Sequence, residues 1–247
     1  MRNQPSGNLT RKAGRALGLL LLFGICQTPG RAQVNGEQQL GAWYMYFGTH
    51  RVAERWSLHN EAQFRYYDLG GNFNQLLLRA GINYHLRPAT LLTLGYAYIE
   101  TDPTFGDPFP QGPDEQGRNI PENRLFEQFI QRHDLGSWQF EHRFRLEQRF
   151  LARGDTRRTE HRARYRLQVT HPLGNTFFLN FYDEIFLNLQ GDPFGQNRLY
   201  LALGARLSPE VSLQAGYLKN HFSAAHYDRL QLALFWNADL RPKSDTN

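Results

Sequence analysis

Alternation of apolar and polar side chains, with a period of two residues, runs through the chain from residue 39 to residue 237. Successive side chains of a β-strand point to opposite faces, so this period predicts strands with one apolar and one polar face. The alternation is clearest in segments 75–86, 138–151 and 197–207. No segment after residue 32 has a convincing helical spacing. The pattern therefore predicts an all-β protein.

Eleven segments fit this pattern, and their connections alternate between short and long. The predicted strands span 39–47, 55–68, 75–86, 91–100, 123–134, 138–151, 159–171, 176–189, 197–207, 211–222 and 229–237. Short turns are predicted near 49–53, 87–90, 135–137, 172–175 and 208–210, and longer loops at 69–73, 101–122, 152–158, 190–196 and 223–228. Short turns on one rim and longer loops on the other are typical of a closed antiparallel transmembrane β-barrel.

The number of strands is the weak point of this interpretation, because bacterial single-chain barrels have even numbers of strands. The two places where the count could be in error are segment 39–47, which could be a lumenal or partial strand, and the long loop 101–122. We therefore predict 10–12 strands.

A secreted β-sandwich also alternates, but three features favour the barrel. The predicted strands run to about 10–14 residues, as tilted membrane strands do, whereas globular strands average about 5–6. On the faces assigned outward, Asp183 is the single acid and clear Arg or Lys is absent. Aromatic residues recur near strand ends, as in interfacial girdles. They are Trp43, Trp56, Tyr66, Tyr84, Tyr98, Trp138, Tyr217 and Trp236.

The first 32 residues read as a secretory signal peptide. Arg11, Lys12 and Arg15 precede a short apolar run over 16–26, and 30–32 resembles a cleavage site. We expect residues 1–32 to be removed and residues 33–247 to form an outer-membrane β-barrel domain in the bacterial cell outer membrane. In a lipoprotein Cys26 would be the anchor, but the small residue usual before such a cysteine is absent.

The excess of basic over acidic residues lies in this segment. Five of the 28 basic residues and none of the 23 acidic residues lie in 1–32, which leaves 23 of each afterwards. The basic isoelectric point is therefore no evidence for nucleic-acid binding. The single cysteine lies in the same segment. The partners we expect are outer-membrane lipid and, during insertion, the barrel-assembly machinery.

The polar face is richest in charge on the two strands around residues 141–149 and 160–166. Its inward groups are Glu141, Arg143, Arg145, Glu147, Arg149, Glu160, Arg162, Arg164 and Arg166. A register with Arg149 opposite Glu160 leaves Arg145 facing Arg164 and Arg143 facing Arg166, which is unfavourable. Acids across the lumen, such as Glu61, Glu127 and Glu184, water or a bound anion must compensate. The wall is either a ladder that fills the lumen or the lining of a narrow anion-preferring pore or anion site.

Evidence for catalysis is slight. One cluster, His221, Ser223, His226 and Asp228, could supply a hydrolytic triad, although sequence proximity does not establish its geometry. Metal-ligand spacing and phosphate-binding loops are not apparent in the sequence, so we expect no cofactor. We predict a non-enzymatic barrel, and the alternatives are a lipid-modifying hydrolase and a soluble periplasmic β-domain.

Several segments together resemble a known family. They are 142–150 (HRFRLEQRF), 162–169 (RARYRLQV), 181–188 (FYDEIFLN), 196–204 (QNRLYLALG), 214–220 (QAGYLKN) and 230–237 (LQLALFWN). In this order they are similar to the bacterial family catalogued as domain of unknown function 2490, most specifically over residues 140–237. The resemblance implies an outer-membrane β-barrel and transfers no activity or catalytic residue.

Overall fold

A computed structural model describes residues 36–103 and 119–242. Eleven strands close into a barrel in which chain neighbours pair antiparallel. A short 3-10 turn, Gly36–Gln38, precedes them. The strands are β1 (Gly41–Arg51), β2 (Trp56–Tyr66), β3 (Phe73–Arg87), β4 (Thr90–Thr101), β5 (Ile120–Leu135), β6 (Trp138–Arg153), β7 (Thr156–Leu173), β8 (Phe177–Asn188), β9 (Phe194–Arg206), β10 (Val211–His221) and β11 (His226–Asp239).

The all-β barrel and the predicted range of 10–12 strands are confirmed. The predicted signal peptide lies outside the described residues. Among the residues that the structure describes, no helix has the length and apolarity that a membrane crossing requires.

The strand in doubt, 39–47, is a full member of the barrel. It forms β1, which pairs antiparallel with β2 and parallel with β11 along its whole length, from Gly41 opposite Arg229 to Arg51 opposite Asp239. An odd number of strands that reverse direction at each turn brings the first and last strands together pointing the same way. The closing pair is therefore parallel, and the expectation of an even count is wrong for this chain.

The two rims differ as predicted, with one exception. We call the rim where β1 ends and β2 begins the turn rim, and the opposite one the loop rim. The predicted loop at 152–158 is a turn of two residues, Gly154 and Asp155, because charged residues continue both strands past the apolar zone. Gly154 has a φ of +55°, a left-handed conformation that glycine adopts without strain.

The distribution of side chains is the reverse of that in a water-soluble globule. Large apolar residues face outward and stay exposed: Leu94 is 64% exposed, Leu201 57% and Ile82 54%. Charged residues face inward and are buried, with Glu147 1% exposed and Arg145 4%. Charged residues are almost never fully buried in soluble proteins unless they are paired.

Aromatic residues gather at both ends of the outer face. Trp56, Trp138 and Trp236 lie outward near the turn rim and are each more than 40% exposed, and tyrosines such as Tyr44 and Tyr66 lie near the loop rim. Trp43 was also predicted for this girdle, and that assignment is wrong. Its side chain lies inside the barrel, 6% exposed, against Tyr200, Ala202 and Leu218.

Asp183 and Glu127 lie on the outer face, and each is satisfied by an amide. Asp183 accepts a hydrogen bond from Asn197 at 2.5 Å, as expected for a residue that points away from the lumen. Glu127 was predicted to face the lumen, but it is exposed on the outer wall and accepts from Gln148 at 3.2 Å. The phase of β5 places Glu122, Arg124 and Phe126 inside, which leaves Glu127 outside.

Glycine makes room inside the barrel for aromatic rings from a neighbouring strand. A Cβ atom on Gly95 of β4 would lie 2.3 Å from the ring of Phe126 on β5. Likewise, a Cβ on Gly204 of β9 would lie 2.1 Å from the ring of Phe178 on β8. Both rings therefore lie directly on the backbone of the next strand.

Replacing Gly95 by leucine should prevent correct closure between β4 and β5, because neither the ring of Phe126 nor the strand backbone can move aside. We expect Gly95→Leu to lose the heat-modifiable gel mobility of a folded barrel in detergent. Gly70, whose Cβ position meets nothing within 4 Å, is the matched control, and Gly70→Leu should fold normally. Normal folding of Gly95→Leu would contradict this packing.

Candidate functional site in the barrel lumen

The lumen encloses a cavity of about 980 Å³. Its walls include Thr49 and Arg206 near the turn rim, and Thr101 and Leu151 near the loop rim, so it runs along most of the strand length. The charged side chains that line it are Arg65, Arg79, Arg124, Arg132, Arg143, Arg145, Arg149, Arg162, Arg164, Arg166, Arg198, Arg206, Glu61, Glu122, Glu141, Glu184 and Glu210. Twelve arginines thus face five glutamates, and Glu147 lies buried behind them.

The pair of strands predicted to be richest in charge, β6 and β7, adopts the predicted register. Arg149 lies opposite Glu160, and Glu147 lies opposite Arg162. Arg145 faces Arg164, and Arg143 faces Arg166. Two pairs of like charges therefore do lie directly across the ladder.

Glu147 compensates one of these like-charged pairs. Its side chain is fully buried and binds Arg164 Nη1 at 2.7 Å and Arg162 Nη2 at 2.6 Å. Arg145, which faces Arg164, has its nearest nitrogen 3.8 Å from the same carboxylate and donates from Nε to Gln128 at 2.9 Å. One carboxylate and one neutral amide thus separate the opposed guanidinium groups.

Glu184 and Glu141 compensate the second pair. Glu184 Oε1 binds Arg143 and Arg164, each at 2.7 Å. Glu141 binds Arg166 at 2.6 Å and Arg132 at 2.8 Å. Of the three compensating acids predicted, only Glu184 contacts this wall, because Glu61 binds Arg79 and Glu127 points outward.

A third strand, β5, completes the network beyond the two strands predicted from the sequence. Glu122 binds Arg124 at 2.6 Å and Arg149 at 2.8 Å, and Arg124 reaches Glu147 at 3.4 Å. Glu160 binds Arg149 from the other side at 2.8 Å. The alternation of Glu122, Arg124 and Phe126 carried this information, but the predicted strand began one residue after Glu122.

Two further arginines of the lumen, Arg65 and Arg198, form no ion pair among the described residues, although Glu184 lies directly opposite Arg198 in the ladder of β8 and β9. Arg65 of β2 stacks on Trp43 with its guanidinium carbon 3.8 Å from the ring centre. The guanidinium carbon of Arg198, on β9, lies 5.1 Å from the ring centre of Trp43 and 4.6 Å from that of Phe186. The sequence does not predict this cluster, because a tryptophan near a strand end fits the outer girdle as well.

Contacts at the loop rim hold the short segment before β1 against the barrel. Arg229 of β11 binds the carboxylate of Glu37 and donates to the carbonyl oxygens of Glu37 and Gln39. Tyr67, directly after β2, donates its hydroxyl to the Asp102 carbonyl at 3.1 Å. Burial, and next the nearby carboxylate of Glu37, raise the pKa of Tyr67 to about 12.

The cluster proposed for catalysis does not form a triad in this structure. The rings of His221 and His226 face each other across β10 and β11 with centres 6.4 Å apart. Asp228 binds Lys219 at 2.8 Å and accepts from the Tyr217 hydroxyl. Ser223 makes no hydrogen bond to either histidine within the described part of the chain. No group of three potential metal ligands occurs in 36–103 or 119–242.

Comparison with known proteins identifies one family. The family model described as "Protein of unknown function (DUF2490)" matches residues 40–231, which span the barrel from before β1 into β11. No curated protein matches the chain.

Replacement of Glu147 tests the buried network. Glu147→Gln keeps the shape of the side chain but leaves Arg162 without a carboxylate, and removing one partner of a buried ion pair costs about 3–5 kcal/mol. We expect a corresponding loss in the free energy of unfolding, measured by urea titration in lipid vesicles. The control is Glu160→Gln, whose side chain is 26% exposed and should cost less than about 1 kcal/mol. Equal losses would contradict a special role for Glu147.

Proposed function

We propose that this chain, which belongs to the DUF2490 family, spans the bacterial outer membrane as a barrel and forms a narrow pore that prefers anions. The observation that carries the proposal is the excess of arginine on the inner wall of a barrel whose outer wall is apolar. The membrane placement comes first, because the pore depends on it.

The apolar outer wall supports a lipid environment. Between the two aromatic girdles the outward positions of β4, β9 and β11 are mainly leucine, as in the bands that face lipid in outer-membrane barrels. A soluble protein rarely exposes a continuous apolar patch above a few hundred Å². In the closed barrel every strand pairs its backbone N–H and C=O groups with two neighbouring strands, as a strand that spans a membrane requires.

The size of the cavity restricts what can pass. Spread over the ~25 Å height of a membrane barrel, a volume of about 980 Å³ gives a mean cross-section of about 40 Å². Such a section admits small ions and small organic solutes but excludes oligosaccharides and peptides. We therefore propose a narrow channel rather than a general porin.

The charge of the wall sets the preference for anions. Twelve arginines against seven glutamates, including Glu147 and Glu160, leave the lumen positive, although the chain after residue 32 is balanced overall. Guanidinium groups stay protonated at any physiological pH, so this charge is permanent. An anion in the lumen is attracted, and a cation is repelled.

A purely structural barrel is the second candidate, and the ion-pair network supports it. The ladders of β5, β6 and β7 cross the lumen and fill much of the space that a pore needs. In both versions the role is non-catalytic, because the carboxylate of Asp228 is held by Lys219 and Tyr217. The proposed partners are outer-membrane lipid and, during insertion, the barrel-assembly machinery.

The membrane placement predicts how the protein fractionates. We expect it to sediment with outer membranes, to resist extraction with sodium carbonate, and to migrate faster in detergent gels before heating than after. Release by mild washing would contradict the placement and favour a soluble periplasmic domain.

The pore predicts anion selectivity in planar bilayers under a salt gradient. Replacing Arg143, Arg145, Arg164 and Arg166 together by glutamine should move the reversal potential toward cations, and so should Arg206→Glu, which breaks no ion pair. We expect the anion-to-cation permeability ratio to fall by roughly twofold or more, given the Coulomb energy of a charge a few ångströms from the ion path. Arg157→Gln, on the exposed tip beyond Asp155, should change nothing. Absence of conductance would contradict the pore and favour the purely structural barrel.

A further inference from the structure

Arg198 carries a lumenal guanidinium group that forms no ion pair among the described residues. It lies on the inner face of β9, between the rings of Trp43 and Phe186. Its Nε is buried without a hydrogen-bond partner, and no carboxylate oxygen of the described residues lies within 4 Å of its nitrogens. Stacking on aromatic faces leaves the N–H groups at the edge of the guanidinium plane free to donate.

Arg65 supplies a second guanidinium group that forms no ion pair among the described residues, and it is linked to the carboxylate of Glu61 only through Gln63. It lies directly opposite Trp43 on the neighbouring strand and stacks on the indole. Its hydrogen bonds go to the neutral amides of Gln63, at 3.0 Å from Nε, and Gln75, at 2.7 Å from Nη1. The guanidinium carbons of Arg65 and Arg198 lie within about 9 Å of each other, because both lie close to the same ring centre.

The rest of the lumen shows that this arrangement is not the general pattern. Five other arginines of the lumen bind a carboxylate at 2.6–2.8 Å: Arg143, Arg149, Arg162, Arg164 and Arg166. Glu184 lies directly opposite Arg198 on β8, but its Oε1 binds Arg143 and Arg164, and it forms no ion pair with Arg198. Arg65 and Arg198 therefore keep guanidinium charge that no direct ion pair neutralises, and such charge favours binding of an anion.

We infer that Arg65 and Arg198 form a binding site for a small tetrahedral oxyanion of the phosphate class, next to Trp43 in the lumen. Guanidinium forks match the oxygens of phosphate bidentately, and two groups at this separation can address different oxygens of one anion. All three residues line the central cavity, so the ligand comes from the aqueous phase and not from lipid headgroups. The inference deepens the proposed function, because it names the class of solute that the lumen selects.

Trp43 provides a direct optical test. The chain has four tryptophans, and Trp56, Trp138 and Trp236 lie on the outer face. The triple variant W56F/W138F/W236F therefore leaves Trp43 as the single reporter. Refolded in a detergent that contains no phosphate and titrated with inorganic phosphate at constant ionic strength, it should show a saturable change in emission. Chloride should give no saturable change at the same concentrations.

Variants in this background assign the effect to the two arginines. Arg198→Gln and Arg65→Gln should each weaken phosphate binding by about tenfold or more, the loss expected for hydrogen bonds to a charged group. Arg198→Lys keeps the charge but not the fork and should bind with intermediate affinity. Arg157→Gln, on the exposed tip, should bind as the parent does. Heat-modifiable mobility confirms that each variant is folded.

Two results would overturn the site: no saturable response of folded protein to phosphate, or equal affinity in the parent and Arg198→Gln. A response that appears only when phospholipid replaces the detergent would assign the anion to lipid and would also overturn it. The titration requires no conductance. Phosphate binding without conductance would support the site and contradict the pore. Selective conductance without phosphate binding would support the pore and contradict the site.

Discussion

The constraint on which this structure depends is that charged side chains inside a closed wall must find partners within that wall. Glu147 shows the extent of this requirement, because one buried carboxylate serves arginines from both β6 and β7 and lies 3.4 Å from Arg124 on β5. These contacts tie three successive strands together through their side chains as well as their ladders. Since removing one partner of a buried pair costs more than the pair contributes, the network fixes the register more than it adds stability.

The fold was largely predictable from the sequence, because period-two alternation follows directly from strand geometry. The register of β6 on β7 was also predictable, since opposite charges at Arg149 and Glu160 select one alignment over its neighbours. Glu127 and Trp43 were not. Glu127 belongs to a strand whose flanking residues give a weak alternation, and a tryptophan near a strand end fits an interfacial girdle and a lumenal cluster equally well. Which one applies depends on Tyr200 and Leu218, residues far away in the sequence.

The candidate site also has a part that the sequence predicts and a part that it does not. The Arg–Glu ladder of β6 and β7 is local, so its members could be named from two adjacent segments. The cluster of Arg65, Arg198 and Trp43 comes from β1, β2 and β9, and no pattern within any one of these strands reveals it. Most arginines of β6 and β7 bind the acids of the network, whereas Arg65 and Arg198 lie against aromatic rings and form no ion pair.

The parallel seam between β1 and β11 has a consequence for how such a chain is assembled. Every other ladder joins strands next to each other in sequence, whereas the seam and its anchor bring together residues as far apart as Glu37 and Arg229, 192 positions along the chain. Bringing β1 and β11 together closes the longest loop in the barrel, so it carries the largest loss of chain entropy of any ladder. We therefore expect closure of this seam to be the last step of folding. An odd strand count also leaves residue 40 and residue 240 at opposite rims. In a bilayer, residues 40 and 240 would thus lie on different sides of the membrane. One of these two chain segments must therefore cross the membrane during insertion.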